Sequence, residues 1–143
     1  MTVKVLFSAK GVKAPPVEAP ARRGIAAVLR HGRVKSSGEL NVVWVTRRAL
    51  RAMGKRFRGA DKFTDVISFR YPEETEAFGD LFISPEQARV NARGLGVPYL
   101  EECVRLCVHG ALHLLDYRDY APRERAEMWS VQEPIVRRAL ARR

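Results

Sequence analysis

Cys107-Val108-His109-Gly110-Ala111-Leu112-His113-Leu114-Leu115-Asp116-Tyr117-Arg118-Asp119 is the stretch from which the rest of the chain can be read. Imidazoles four residues apart on a helix project from one face, so His109 and His113 can grip one metal ion. Asp119, six residues beyond His113, adds a carboxylate. Divalent metals of borderline character accept imidazole nitrogen and carboxylate oxygen together, and three protein ligands leave a position open for water, as catalytic sites do. Asp116 shares the strip with both histidines and is the alternative third ligand if the helix runs one turn longer. The plain alternative is a pair of independent histidines with two solvated or capping aspartates.

The flanking residues place this pair on a central helix. Reading Tyr99 to Leu115 at helical pitch, Leu100, Cys103, Val104, Cys107, Val108, Ala111, Leu112, Leu114 and Leu115 form a broad apolar arc that must face the core. His109 and His113 fall outside it, with Glu102 and Asp116, and so line a cleft or meet solvent. Cys103 and Cys107 lie inside the arc, away from the histidines, and read as reduced core thiols, since a disulfide along one helix is geometrically poor.

Three blocks of the chain resemble the YbeY family of bacterial rRNA maturation factors. His109 to Asp119 is similar to the family signature His-Gly-x-Leu-His-Leu-x-Gly-Tyr-Asp-His. Arg58-Gly-Ala-Asp61-Lys-Phe-Thr64-Asp65-Val66-Ile67-Ser68-Phe69 resembles its Arg-x-x-Asp-x-x-Thr-Asp-Val-Leu-Ser-Phe run, and Gly79-Asp80-Leu81-Phe82-Ile83-Ser84 resembles its Gly-Asp-Ile strand. The likeness continues faintly into Glu127-Met128 and Gln132-Glu133. It implies a single-strand-specific, metal-dependent endoribonuclease acting in small-subunit 16S rRNA 3′-end processing and ribosome quality control. It also implies one Zn²⁺ on His109, His113 and Asp119, the small ribosomal subunit as partner, Arg58 as the active-site arginine clamping a phosphate, and Ser68 in the substrate cleft. Three departures fall in the metal motif: Asp119 replaces a histidine, Arg118 an aspartate and Asp116 a glycine. A carboxylate ligand lowers the ion's Lewis acidity relative to imidazole. An aspartate at the glycine position still tolerates the left-handed turn required there.

Two rival functions follow from the same residues. Zincin peptidases share the His-x-x-x-His spacing, but they need a glutamate general base directly after the first histidine, where this chain has Gly110. The departures in the ligand loop would also suit an RNA- or ribosome-binding factor whose metal site has degenerated.

Composition agrees with a polyanionic partner. Lys and Arg number 26 against 16 Asp and Glu, a formal charge of +10 that attracts phosphate backbones. Arg47, Arg48, Arg51, Lys55, Arg56 and Arg58 cluster, and Arg137, Arg138, Arg142 and Arg143 end the chain. Aromatic residues are 8% of the total and form no base-stacking module, so backbone and shape recognition of RNA is expected. No stretch approaches the roughly 20 apolar residues of a membrane span, and a cytoplasmic protein is expected.

At 143 residues and 46% apolar, residues 1–143 are expected to form one domain. Val3 to Ser8 reads as a strand, Gly11 to Pro20 as a loop and Ala21 to His31 as a helix with Ile25, Val28 and Leu29 inward. Leu40 to Val45 is a second strand. Thr46 caps a short basic helix through Met53, and a Gly- and Lys-rich connection leads to strand Val66 to Phe69. Tyr71 to Ala77 is a loop before strand Asp80 to Ile83, and Ser84, Pro85 and Gln87 start a helix ending near Gly94. Pro98 opens the ligand helix. Pro122 opens the last helix, which Pro134 should kink or divide, with Ile135, Val136 and Leu140 packing beyond it. The fold class is α+β: a small mixed β-sheet of about four strands covered by helices, the metal site on a central one.

Overall fold

A computed structural model of the chain describes residues 2–58, 65–72 and 75–141, with 57 and 58 as backbone only. In order the elements are β1 (Val3–Lys10), α1 (Glu18–His31), β2 (Gly38–Val45), α2 (Arg47–Arg58), β3 (Val66–Arg70), β4 (Ala77–Ile83), α3 (Pro85–Leu95), α4 (Tyr99–Leu114) and α5 (Pro122–Ala141). The strands form one mixed sheet in the order β1-β2-β4-β3. β1 with β2 and β2 with β4 are parallel, and β3 runs antiparallel to β4, with Ser68 opposite Leu81.

Alternation along β2 sorts the two faces of the sheet. Leu40, Val42 and Trp44 belong to the main core with Leu81, Ile83 and the inward sides of α1, α4 and α5. Val43 and Val45 face the other way, where Leu50 of α2 and Ile67 complete a smaller cluster. α4 packs against α1, α3, α5 and both β3 and β4, which makes it the centre of the molecule. Glycines set its approach. A methyl group at Gly24 would lie 2.7 Å from Val108 Cγ2, and one at Gly110 would lie 2.9 Å from Val66 Cγ2 and 3.2 Å from Leu81.

Several expected boundaries move. α1 begins at Glu18, so Pro20 lies within its first turn, where a missing N–H costs no helical bond. Thr46 does accept from Ala49 N at 3.0 Å, but α2 runs on through Gly54 and Lys55 to Arg58, because buried Gly54 remains helical while Leu50 and Met53 pack inward. β4 starts at Ala77, inside the expected loop. α5 continues through Pro134 as one helix rather than dividing there. Leu100 and Leu140, expected inside, are 40% and 36% exposed, and Ala139 takes the inward position near the end of α5. Among the described residues no helix is long and apolar enough to cross a membrane.

Candidate metal centre

His109 and His113 project from α4, and Asp119 reaches them from the loop that follows. The chain reverses through a Schellman turn: Tyr117 N donates to Leu112 O at 3.2 Å, Asp116 N donates to His113 O at 3.0 Å, and Asp116 adopts a left-handed φ of 68°. This is the turn expected where aspartate stands in for glycine. Arg125 of α5 ties down the returning loop by donating to the carbonyls of Tyr120 at 3.0 Å and Asp119 at 3.4 Å.

The three side chains converge tightly. His109 Nε2 lies 3.0 Å from His113 Nε2, and Asp119 Oδ2 lies 3.4 Å from the first and 3.5 Å from the second. An ion bound tetrahedrally at roughly 2.0–2.2 Å separates its ligand atoms by about 3.3–3.6 Å, which both carboxylate distances match, while the histidine pair is a few tenths of an ångström tighter. Asp116 is exposed and lies outside this group.

Hydrogen bonding fixes what these atoms can do. Gln132 Nε2 donates to Glu133 Oε2 at 2.9 Å, which orients the amide so that its oxygen, Oε1, faces His109 Nδ1 at 2.7 Å. His109 Nδ1 must therefore carry the proton. His113 Nδ1 donates to the Tyr117 carbonyl at 2.9 Å, with the same consequence. In the neutral rings both Nε2 atoms are then lone-pair donors, and they face each other and a carboxylate oxygen. Three electron-pair donors pressed together repel unless a cation draws on all of them, and locking the far ring nitrogen in this way is how proteins orient metal-binding histidines.

A second polar cluster adjoins the first. Arg105 donates to Glu133 through Nε and Nη2 at 2.9 Å each, to Glu102 at 3.0 Å and to Glu101 at 2.9 Å. Burial works to raise the Glu133 carboxyl, but the bonds from Arg105 and Gln132 hold it below its ordinary value. Burial prevails at Glu102, whose pKa is raised despite Arg105 and Asn91. Cys103 and Cys107 are buried free thiols, as expected, and burial pushes Cys103 up to about 11 and Cys107 higher still.

Two cavities flank the triad and share Asp65, His109 and Asp119 in their walls. One, of about 720 Å³, is polar and includes Ser68; the other, of about 510 Å³, is largely apolar. The Ser68 hydroxyl donates to the Gly110 carbonyl at 3.0 Å, holding β3 against α4. Asp80 accepts from Tyr71 at 2.6 Å and from Asn41 at 3.2 Å, a tie across the sheet. The side chain of Arg58, with Asp61 and Thr64, lies outside the described residues. Gln132 and Arg105 were not anticipated as parts of the site. The signal for Gln132 is the faint likeness around Gln132-Glu133; for Arg105 it is a charged residue inside an apolar run, with Glu101 and Glu102 at helical pair spacing before it.

Comparison with known proteins gives a consistent picture. A family model described as endoribonuclease YbeY matches residues 7–139. The endoribonuclease YbeY of Acholeplasma laidlawii is 38% identical over 111 residues, covering 77% of this chain and 81% of that protein. That of Parabacteroides distasonis is 29% identical over 137 residues, covering 96% and 94%. A solution structure of a Thermotoga maritima protein superposes with a TM-score of 0.63 at 23% identity, over 96% of this chain and 89% of the other, and so shares the fold.

Proposed function

The chain belongs to the YbeY endoribonuclease family, and from that premise we propose that it cuts single-stranded RNA at one divalent ion held by His109, His113 and Asp119. The observation that carries this reading is the convergence of both Nε2 atoms on the Asp119 carboxylate while an oxygen acceptor meets each Nδ1. Zn²⁺ is the ion we assign, since tetrahedral imidazole and carboxylate ligation with one open position suits it. When bound, such an ion polarises a phosphodiester oxygen and lowers the pKa of a coordinated water toward about 7.

The chain's own residues supply orientation and charge. Gln132 and the Tyr117 carbonyl hold the two rings against rotation. Arg58 clamps the scissile phosphate through its paired N–H donors and stabilises the charge that develops on it. Ser68 lines the polar cavity and meets the substrate there, its hydroxyl fixed by Gly110. The net charge of +10 draws the RNA in. We take residues 1–143 to act as one catalytic domain. Family membership supports a cytoplasmic role in 16S rRNA 3′-end maturation and ribosome quality control, with the small subunit as partner.

A peptidase is disfavoured on packing as well as on chemistry, because position 110 faces Val66 and Leu81 and has no room for a glutamate. The deciding experiment measures bound metal and cleavage of an end-labelled single-stranded RNA by the wild type and by His113→Ala. Joint loss of metal and cutting in the variant is expected. Wild-type protein that binds RNA without metal and never cuts it would sink the reading and leave an RNA-binding factor.

A further inference from the structure

Two of the three candidate ligands, His109 and Asp119, line the apolar cavity, and the rest of its wall is chemistry of another kind. From His109 and Asp119 it runs along α5 to Val90 and Leu95, which are 39% and 51% exposed. Its volume of about 510 Å³ falls in the range of small-ligand pockets. Arg125 and Trp129 line it from α5 four residues apart, hence on one helix face, and Gln132 continues that strip to His109. Trp129 is 49% exposed, whereas Trp44 is 1% exposed in the core. The Arg105 guanidinium lies 5.8 Å from a ring centroid of Trp129, fixed there by its three carboxylates. One strip of α5 therefore presents a cation beside the ligand loop and an indole further along an apolar slot.

We propose that this slot is a nucleobase subsite: Trp129 stacks the unpaired base adjoining the cleaved phosphodiester, and Arg125 meets a neighbouring phosphate. The proposal rests on the RNA-cleaving reading of the metal centre and deepens it. Unpaired bases bind proteins largely by stacking on aromatic rings, whereas a base inside a duplex is already stacked and offers no free face. A slot of this kind selects single strands without reading sequence. The continuity of its walls with His109 and Asp119 points to this occupant, because base and phosphate of one nucleotide must be bound side by side. Trp129 then binds the base and takes no part in the bond-breaking itself.

The experiment follows an unstructured oligoribonucleotide in two ways. Steady-state cleavage is compared for wild type, Trp129→Phe and Trp129→Ala, and tryptophan emission is recorded on adding the oligonucleotide with a chelator present to prevent cutting. Trp129→Ala is expected to raise KM roughly tenfold with kcat nearly unchanged, and Trp129→Phe to stay near wild type because its ring still stacks. An abasic residue beside the cut should raise the wild-type KM by a similar factor and add nothing in Trp129→Ala. Emission should be quenched in wild type and unchanged in Trp129→Phe, where only buried Trp44 reports. Wild-type KM in Trp129→Ala, or wild-type emission indifferent to RNA, overturns the subsite while leaving the nuclease reading intact. Quenching in a wild type that never cuts overturns the nuclease reading, and with it the placement beside a cleaved bond, while base stacking on Trp129 stands.

Discussion

Arg105 and His109 lie one turn apart on α4, each at the centre of a polar cluster, and the clusters are built on opposite principles. Around Arg105 the guanidinium meets three carboxylates through bonds of 2.9–3.0 Å, so positive donors face negative acceptors. Around His109, when both rings are neutral, the neighbours are alike: two imidazole lone pairs and a carboxylate oxygen, 3.0–3.5 Å apart. A cluster that only supports a fold is complementary within itself. One whose members share a sign needs something from outside. Gln132 joins the two, accepting from His109 and donating to Glu133, so the balanced cluster anchors the unbalanced one.

The harshest way to break this contrast is Arg105→Ala, which strands Glu102 and Glu133 in the interior. Loss of one partner of a buried ion pair costs about 3–5 kcal/mol, and urea unfolding should record a fall of that size. The link between the clusters is tested next. Gln132→Ala leaves His109 without its acceptor, and Zn²⁺ affinity measured by calorimetry should weaken about 10–100-fold while the fold persists.

Acid probes the balanced cluster more gently. Glu133 is lowered in the fold from its ordinary 4.5, so its contribution is present above that value and lost as pH falls through its folded pKa. Glu102 is raised, chiefly by burial, and its contribution grows in the opposite direction. Urea midpoints taken from about pH 6 to about pH 3 should therefore decline less steeply in Glu133→Gln than in the wild type. The smallest effect is expected at the turn. Asp116→Gly relieves a left-handed aspartate, should change stability by no more than about 1 kcal/mol, and should keep the metal that Asp119→Ala loses. Retained metal in Asp119→Ala would instead move the third ligand elsewhere.

Legibility in the sequence followed the range of the interactions. The caps at Thr46 and Ser84 and the histidine pair depend on residues within a few positions, and local chemistry reveals them, whereas the left-handed turn at Asp116 is legible through the glycine of the family signature. Gly54 misled because a glycine's helix penalty of about 1 kcal/mol is visible in sequence, whereas the packing of Leu50 and Met53 that outweighs it is not. Arg105 and Gln132 escaped for the same reason. Glu101 and Glu102 are within one turn of Arg105, but Glu133 is 28 residues away and Gln132 is 23 from His109, and only the packing of α4 against α5 brings these within reach.

Cys103 and Cys107 sit fully buried on the helix that carries both histidines, and their protons are held far above neutrality. Alkylating reagents attack the thiolate, so labelling must wait until α4 leaves the core. These sulfurs are a built-in clock for the opening of the scaffold beneath the site, and a ligand that tightens it should slow their modification.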